Sequence, residues 1–163
     1  MGGGTPAAPD NIRRRAYFSI LAGGFGHSYG GSGVWDAMSD FGEALEHEGA
    51  GQIGYLSQLL HALGSDYLKL RPNPAMVVSG QSSDYDRHLQ AASANDGSYA
   101  LVYTAGTSNF DLDLTNLLNA QSVSTIWFNP RTNELSDRSM TNKGDRVSFT
   151  TPGEGDWVLV LGR

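Results

Sequence analysis

The sequence predicts an α+β protein, with a helical first third followed by an antiparallel β-sandwich. Two observations carry this. Apolar residues recur at helical spacing as far as Leu63, and from about Met76 the period falls to 2, with turn signals dividing the later runs. Length agrees, since 163 residues hold one ordinary domain or a small domain of about 90 residues with an appendage. The change of period favours the second division, with residues 1–10 as a flexible N-terminus, 11–70 as the helical part and 71–163 as the sandwich.

The opening MGGGTPAAPD has glycine and proline but no apolar run, so it is not expected to act as a signal peptide. Asp10 or Asn11 is placed to cap a first helix, whose apolar positions Ile12, Ala16, Ile20 and Leu21 follow helical spacing and which Gly23 and Gly24 end. Arg13, Arg14 and Arg15 are expected on its solvated side. Phe25 to Tyr29 is too short to form a strand with a partner of its own. Two more helices are expected, at about 39–48 and 51–63, the last with an apolar stripe of Ile53, Leu56, Leu59, Leu60 and Leu63 stopped by Gly64. The apolar faces of these helices need a partner that residues 1–64 hardly supply, so this region is expected to expose apolar surface on its own.

About seven strands follow, at roughly 76–79, 86–92, 98–104, 109–114, 123–129, 146–150 and 156–161, which is the number a small sandwich uses. Phe110, Leu112 and Leu114 alternate with Asp111 and Asp113, and Val147 and Phe149 alternate with Arg146 and Ser148, as in strands with one wet face. YALVY at 99–103 and WVLVL at 157–161 are apolar at every position, as in strands covered on both sides. Asn95-Asp96-Gly97, Asn129-Pro130-Arg131, Asn142-Lys143-Gly144 and Thr151-Pro152-Gly153 supply the turns.

A net charge of −6 without a sustained basic face disfavours a nucleic-acid role, and no 18-residue apolar run exists to cross a membrane. There is no cysteine, hence no disulfide and no thiolate metal site. His47 and His61 have no carboxylate or second histidine at ligand spacing, so no metal is expected there. Asp84 with Asp86 and Asp111 with Asp113 place carboxylates in pairs; calcium is the functional reading and exposed charge the ordinary one. Neither a nucleophile motif nor a phosphate loop is present, no cofactor is implied, and no carboxylate pair of the kind glycoside hydrolysis requires is visible.

The segment Gly26-His27-Ser28-Tyr29-Gly30 presents an imidazole and a phenol on a glycine-flanked backbone, and Trp35 follows. Such groups hydrogen-bond sugar hydroxyls or stack on a sugar face. The ordinary reading of His27 is a loop residue satisfied locally. Alternation puts Ile126 and Phe128 on one face of their strand and Thr125 and Trp127 on the other, which makes Trp127 either a ligand platform or a contact with the first region.

Ile12-Arg13-Arg14, the run AYFSILAGGFGHSYG and then Val34-Trp35 resemble the end of the catalytic domain in apiosidase-like glycoside hydrolases. There a helix leads into the eighth strand of a (β/α)8 barrel that ends in a Gly-His-Thr-Tyr-Gly motif, for which this chain has Gly26, His27, Ser28, Tyr29 and Gly30. Gln52 to Leu70 is similar to the last barrel helix and its link. Leu70-Arg71-Pro72, Val77 to Gly80, Gly97 to Ala100, WFNPRT at 127–132 and GDWVLVL at 155–161 resemble the β-sandwich that follows such barrels, named a collagen-binding domain of a collagenase.

The resemblance implies that residues 11–70 are a helical remnant of the barrel, its last strand and flanking helices. The family's catalytic acid and nucleophile lie on earlier strands, so no catalytic residue carries over. His27, Tyr29 and Trp35 map to the sugar-facing mouth, and with Trp127 they form the expected substrate-binding set. The implied function is the C-terminal part of a glycoside hydrolase acting on plant pectic polysaccharide, not catalytic alone. A carbohydrate- or collagen-binding module, or a sandwich that only buttresses the barrel, are the other readings. The implied partners are a glycan and either the rest of a barrel or another chain over the helical region. The family is often secreted or periplasmic, and the sequence leaves the compartment open.

Overall fold

In the computed structural model, which describes residues 8–29, 41–118 and 121–162, the first helix, α1, runs Pro9–Leu21. Proline's fixed φ and missing N–H suit the first helical position, and Ala8 rather than Asp10 or Asn11 occupies the N-cap, with no side-chain cap. Asp10 sits inside the first turn, where a carboxylate complements the helix dipole. A short α2 (Phe41–Leu45) and a longer α3 (Glu48–Ala62) follow. At Gly49 an added Cβ would lie 2.6 Å from Ile12 Cδ1, so the lack of a side chain there lets α3 approach α1 closely.

Ten strands follow: β1 (Leu70–Pro72), β2 (Val77–Ser79), β3 (Leu89–Ala94), β4 (Ala100–Thr104), β5 (Asn109–Leu112), β6 (Ser122–Asn129), β7 (Glu134–Leu135), β8 (Ser139–Asn142), β9 (Val147–Thr150) and β10 (Trp157–Leu161). They form an antiparallel seven-stranded sheet in the order β1-β3-β4-β10-β6-β7, with β8 also on β6, and a three-stranded sheet β2-β5-β9. The strands at 70–72, 134–135 and 139–142 were not among those expected. All three lie at the edges of the large sheet, and β7 and β8 are mostly exposed, so they carry none of the apolar alternation that marks a strand in sequence.

The fold has three layers, because the large sheet is covered on both faces. Ala100 and Val102 of β4, with Leu159 and Leu161 of β10, meet Met76, Phe110, Leu112 and Phe149 between the two sheets. Leu101 and Tyr103, with Val158 and Val160, point the other way and meet Ala16, Tyr17, Ile20 and Leu21 of α1 and Leu56 of α3. That is why YALVY and WVLVL are apolar at every position. The sandwich thus supplies the partner that the helices lack on their own.

Arg13 departs furthest from its expected solvated position. It is 5% exposed, with Nε 2.8 Å from Asp156 Oδ2 and Nη2 2.9 Å from Oδ1, a bidentate pair between α1 and the start of β10. Along β10 the even positions face the helices, and Asp156 continues that parity. Arg13 also donates to Gln52 Oε1 on α3, and Gln52 donates to Glu48 at 2.7 Å and to the Arg131 carbonyl at 3.4 Å. Burial opposes the guanidinium charge, but the bonds and charge of Asp156 outweigh it and raise the proton affinity of Arg13. Arg14 pairs with Asp10 and Asp86, and Arg15 is exposed.

Tyr103 donates to Asp156 Oδ2 at 2.9 Å, and Tyr17 stacks on its ring with centroids 4.6 Å apart and planes at 5°. The Tyr17 hydroxyl is buried with no hydrogen-bond partner among the described residues. Burial, then the Asp156 charge, raises the proton affinity of both phenols.

These two stacked tyrosines should respond oppositely. Tyr103→Phe is expected to lose about 1.5–3 kcal/mol, the net worth of a hydrogen bond to a charged group, while Tyr17→Phe removes an unpaired buried hydroxyl and should be neutral or stabilising. Asp156→Asn, which leaves Arg13 buried without its counter-charge, should cost about 3–5 kcal/mol. Urea denaturation with unchanged m-values would check all three.

Candidate functional site

The glycines after α1 bring His27 to a groove against α3. The Gly23 N–H bonds to Ile20 O at 3.0 Å and that of Gly24 to Ser19 O at 2.8 Å, closing the helix end. Gly23 has φ 94°, and an added Cβ there would meet Pro72 Cγ at 3.2 Å, so the turn is held between α1 and β1. Residues 22–29 then run as coil without a ladder partner, as their length predicts. Phe25 is fully exposed, while His27 and Tyr29 are half-buried.

Across the groove, Ile53, Leu56, Ser57, Leu60 and His61 share one face of α3 at the i, i+3, i+4, i+7, i+8 spacing. With Phe25, His27 and Tyr67 they enclose about 300 Å³. An adjoining hollow of about 460 Å³ lies between Phe25, Leu68 and Pro72. Partial burial, then the charge of Arg15, lowers the proton affinity of His27. Its imidazole is therefore held toward the neutral form, which both donates and accepts hydrogen bonds.

Of the expected substrate-binding residues, His27 lines the groove and Tyr29 lies two residues beyond it, outside the lining. Trp35 and Gly30 fall outside the described residues. Trp127 is not brought to them. It is half-buried on the opposite face of the large sheet, edge-on to Phe110 at 6.2 Å and to Trp157 at 6.4 Å. Contact with the first region is made instead by Phe128 and Ile126, because odd positions of β6 face the second sheet and even positions the helices. His61, Tyr67 and Phe25 were missed as site residues; His61 alone carried a signal, its place on the stripe of Ile53 and Leu60.

Asp156 is the one buried carboxylate among the described residues, and its oxygens are taken by Arg13 and Tyr103. Hydrogen bonds hold three others below the usual carboxylate range: Asp96 through Lys69 and Ser98, Asp111 through Ser148 and Ser79, and Asp113 through Thr115. A sugar-cleaving general acid needs the opposite shift. Asp84 accepts from the Asp86 N–H, Asp86 pairs with Arg14, and no cluster of three potential metal ligands occurs among the described residues.

A family model described as "Apiosidase-like, catalytic domain" matches residues 5–65, and one described as "Putative collagen-binding domain of a collagenase" matches residues 72–162. No curated protein matches the chain. Among solved structures, a protein named "Glycoside hydrolase" superposes over 94% of this chain and 36% of its own, with TM-score 0.77 and 21% identity. A family 5 glycoside hydrolase from Bacteroides vulgatus superposes over 96% of this chain and 37% of its own, with TM-score 0.76 and 24% identity. The chain thus spans little more than a third of either neighbour's length, and at these identities the likeness is one of fold.

Trp127→Ala should lower stability by about 2 kcal/mol, less than the ~3–5 of a fully buried tryptophan, with a matching fall in melting temperature. Arg15→Gln should move the His27 titration midpoint upward toward the ordinary histidine value, as followed by the ring proton shifts in NMR.

Proposed function

The chain belongs, through residues 72–162, to the family of β-sandwich domains described as collagen-binding domains of a collagenase, and from that membership we propose that it forms the C-terminal, non-catalytic part of an apiosidase-like glycoside hydrolase acting on plant pectic polysaccharide. It is a glycoside hydrolase-related protein, and the finer statement rests on one observation above all. Segments matched by a barrel family and by a sandwich family share one apolar core here, closed by the buried Arg13–Asp156 pair. The same arrangement of helices and sandwich recurs in both glycoside hydrolase neighbours, since each superposes over nearly the whole chain.

In this reading the groove beside His27 is one wall of a sugar site. His27 and Tyr29 would bind hydroxyls, and Trp35 would offer a stacking face. The catalytic carboxylates would come from outside these residues, consistent with the downward shifts of Asp96, Asp111 and Asp113. The sandwich acts as a buttress: its helix-facing surface is spent on Tyr17, Ile20 and Leu56 and is unavailable to a ligand.

The chain alone is expected to release no sugar from plant pectic polysaccharide, as read by chromatography of the supernatant, and release above the blank would overturn the non-catalytic role. In gels containing the polysaccharide the chain should be retarded, and His27→Ala should lose much of that retardation at unchanged melting temperature. Equal migration of both proteins would leave the purely structural reading in place of the sugar wall.

A further inference from the structure

We propose that the sandwich carries its own binding pocket for a neutral saccharide unit, at the end of the large sheet remote from Asp156. The pocket holds about 350 Å³ and is built from three segments: the turn after β1, the β3–β4 hairpin, and the loop that follows β5. This volume falls in the lower range of small-ligand sites. The proposal is independent of the reading given to the His27 groove.

The walls are tied to one another by backbone bonds, so the pocket is preformed. The Asp113 N–H donates to Met76 O at 2.9 Å, the Asn95 N–H to Lys69 O at 2.9 Å and the Leu118 N–H to Gly97 O at 2.7 Å. Gly97, at φ 73°, lets the hairpin come close to the loop, for a Cβ there would lie 2.7 Å from Asn116 O. Pre-organised walls of this kind reduce the ordering cost of binding.

The lining chemistry selects the ligand. Buried Met76 and Leu117 give an apolar floor suited to sugar C–H groups. Around it stand Asn73, whose amide donates to Ser93 Oγ at 3.0 Å, and the amides of Asn95 and Asn116, which make no hydrogen bond among the described residues. Each free amide both donates and accepts, which is what a pair of neighbouring sugar hydroxyls requires. Asp113 adds a fixed anion: its Oδ1 accepts from the Thr115 N–H at 2.8 Å and from Thr115 Oγ1 at 2.6 Å, while Oδ2 has no hydrogen-bond partner among the described residues. None of the lining residues is cationic. Lys143 Nζ donates to the carbonyl of the lining residue Leu117, and Asp113 is bonded to no cation among the described residues; its carboxylate repels uronates and phosphates and accepts hydrogen bonds from hydroxyls, so the pocket favours neutral sugars.

The test is a ¹⁵N-labelled full chain titrated with methyl glycosides of glucose, galactose, xylose and arabinose, with methyl galacturonoside, and with calcium chloride alone. At least one neutral glycoside should shift the amides of Asn95, Gly97 and Asn116 in a saturable manner, and galacturonoside should bind at least five-fold more weakly. Asn116→Ala, or exposed Asn95→Ala should the first melt early, should weaken binding at least five-fold, and Asp113→Asn should narrow the gap between neutral and acidic sugar. Absence of saturable shifts with every glycoside overturns the proposal. So do equal binding of galacturonoside, indifference to both asparagine variants, and shifts that calcium alone produces.

Discussion

The buried pair between Arg13 and Asp156 is the contact on which the remaining architecture depends. Two charges removed from water are costly unless every polar atom around them is engaged. Here the carboxylate receives two guanidinium N–H groups and the Tyr103 hydroxyl, while Gln52 engages a third nitrogen of Arg13 from α3. Arg131 Nε stands 3.8 Å from the same carboxylate and bonds through Nη1 to the Glu154 carbonyl at 2.7 Å, so the β6–β7 turn joins the set. One ion pair thus fixes α1, α3, β4, β10 and a turn at once. The apolar contacts beneath it could slide; this cluster sets the register in which they meet.

That geometry redraws the unit of folding. Family resemblance divides the chain near residue 70, yet the large sheet turns Leu101, Tyr103, Phe128, Val158 and Val160 toward the helices, and these bury Ala16, Tyr17, Ile20 and Leu56. A sheet face of this composition without its helices would be an exposed apolar patch of the sort soluble domains avoid. The boundary in sequence family is therefore not a boundary in the core, and energetic coupling should cross it.

Much of the fold was legible in sequence because it rests on local pattern. The period change at Met76, the doubly apolar runs at 99–103 and 157–161, and the Asn/Asp/Gly turns each reflect a physical need of the element they mark. What was not legible depended on partners distant along the chain. Three adjacent arginines look alike, and only packing decides that Arg13 is buried, Arg14 is bound to Asp10 and Asp86, and Arg15 is left in water. Arg13 precedes Tyr17 by one helical turn, so the apolar stripe of Ile12, Ala16 and Ile20 already bordered it. The β6 alternation was read correctly in its period, yet which face looked at the helices required the sheet order. In the candidate site, His27 was visible through its glycine-flanked motif and His61 through its place on the α3 stripe, whereas Phe25 and Tyr67 became groove residues only through the turn at Gly23.

Carboxylates on both sheets are drawn into structural contacts. Glycoside hydrolysis needs two carboxyl groups with divergent proton affinities, one kept protonated by an apolar or anionic setting. Asp156, the buried one, has its oxygens occupied by the Arg13 guanidinium and the Tyr103 hydroxyl, so neither is open to a substrate. On the other sheet, Asp111 is held charged by hydrogen bonds from Ser148, Ser79 and Arg146. Asp111 is thus placed where ionisation strengthens a structural contact, and a contact strengthened by ionisation is weakened by the proton a general acid must carry. Folding and acid catalysis make opposite demands on such a group. At Asp111 the demands of folding are the ones met.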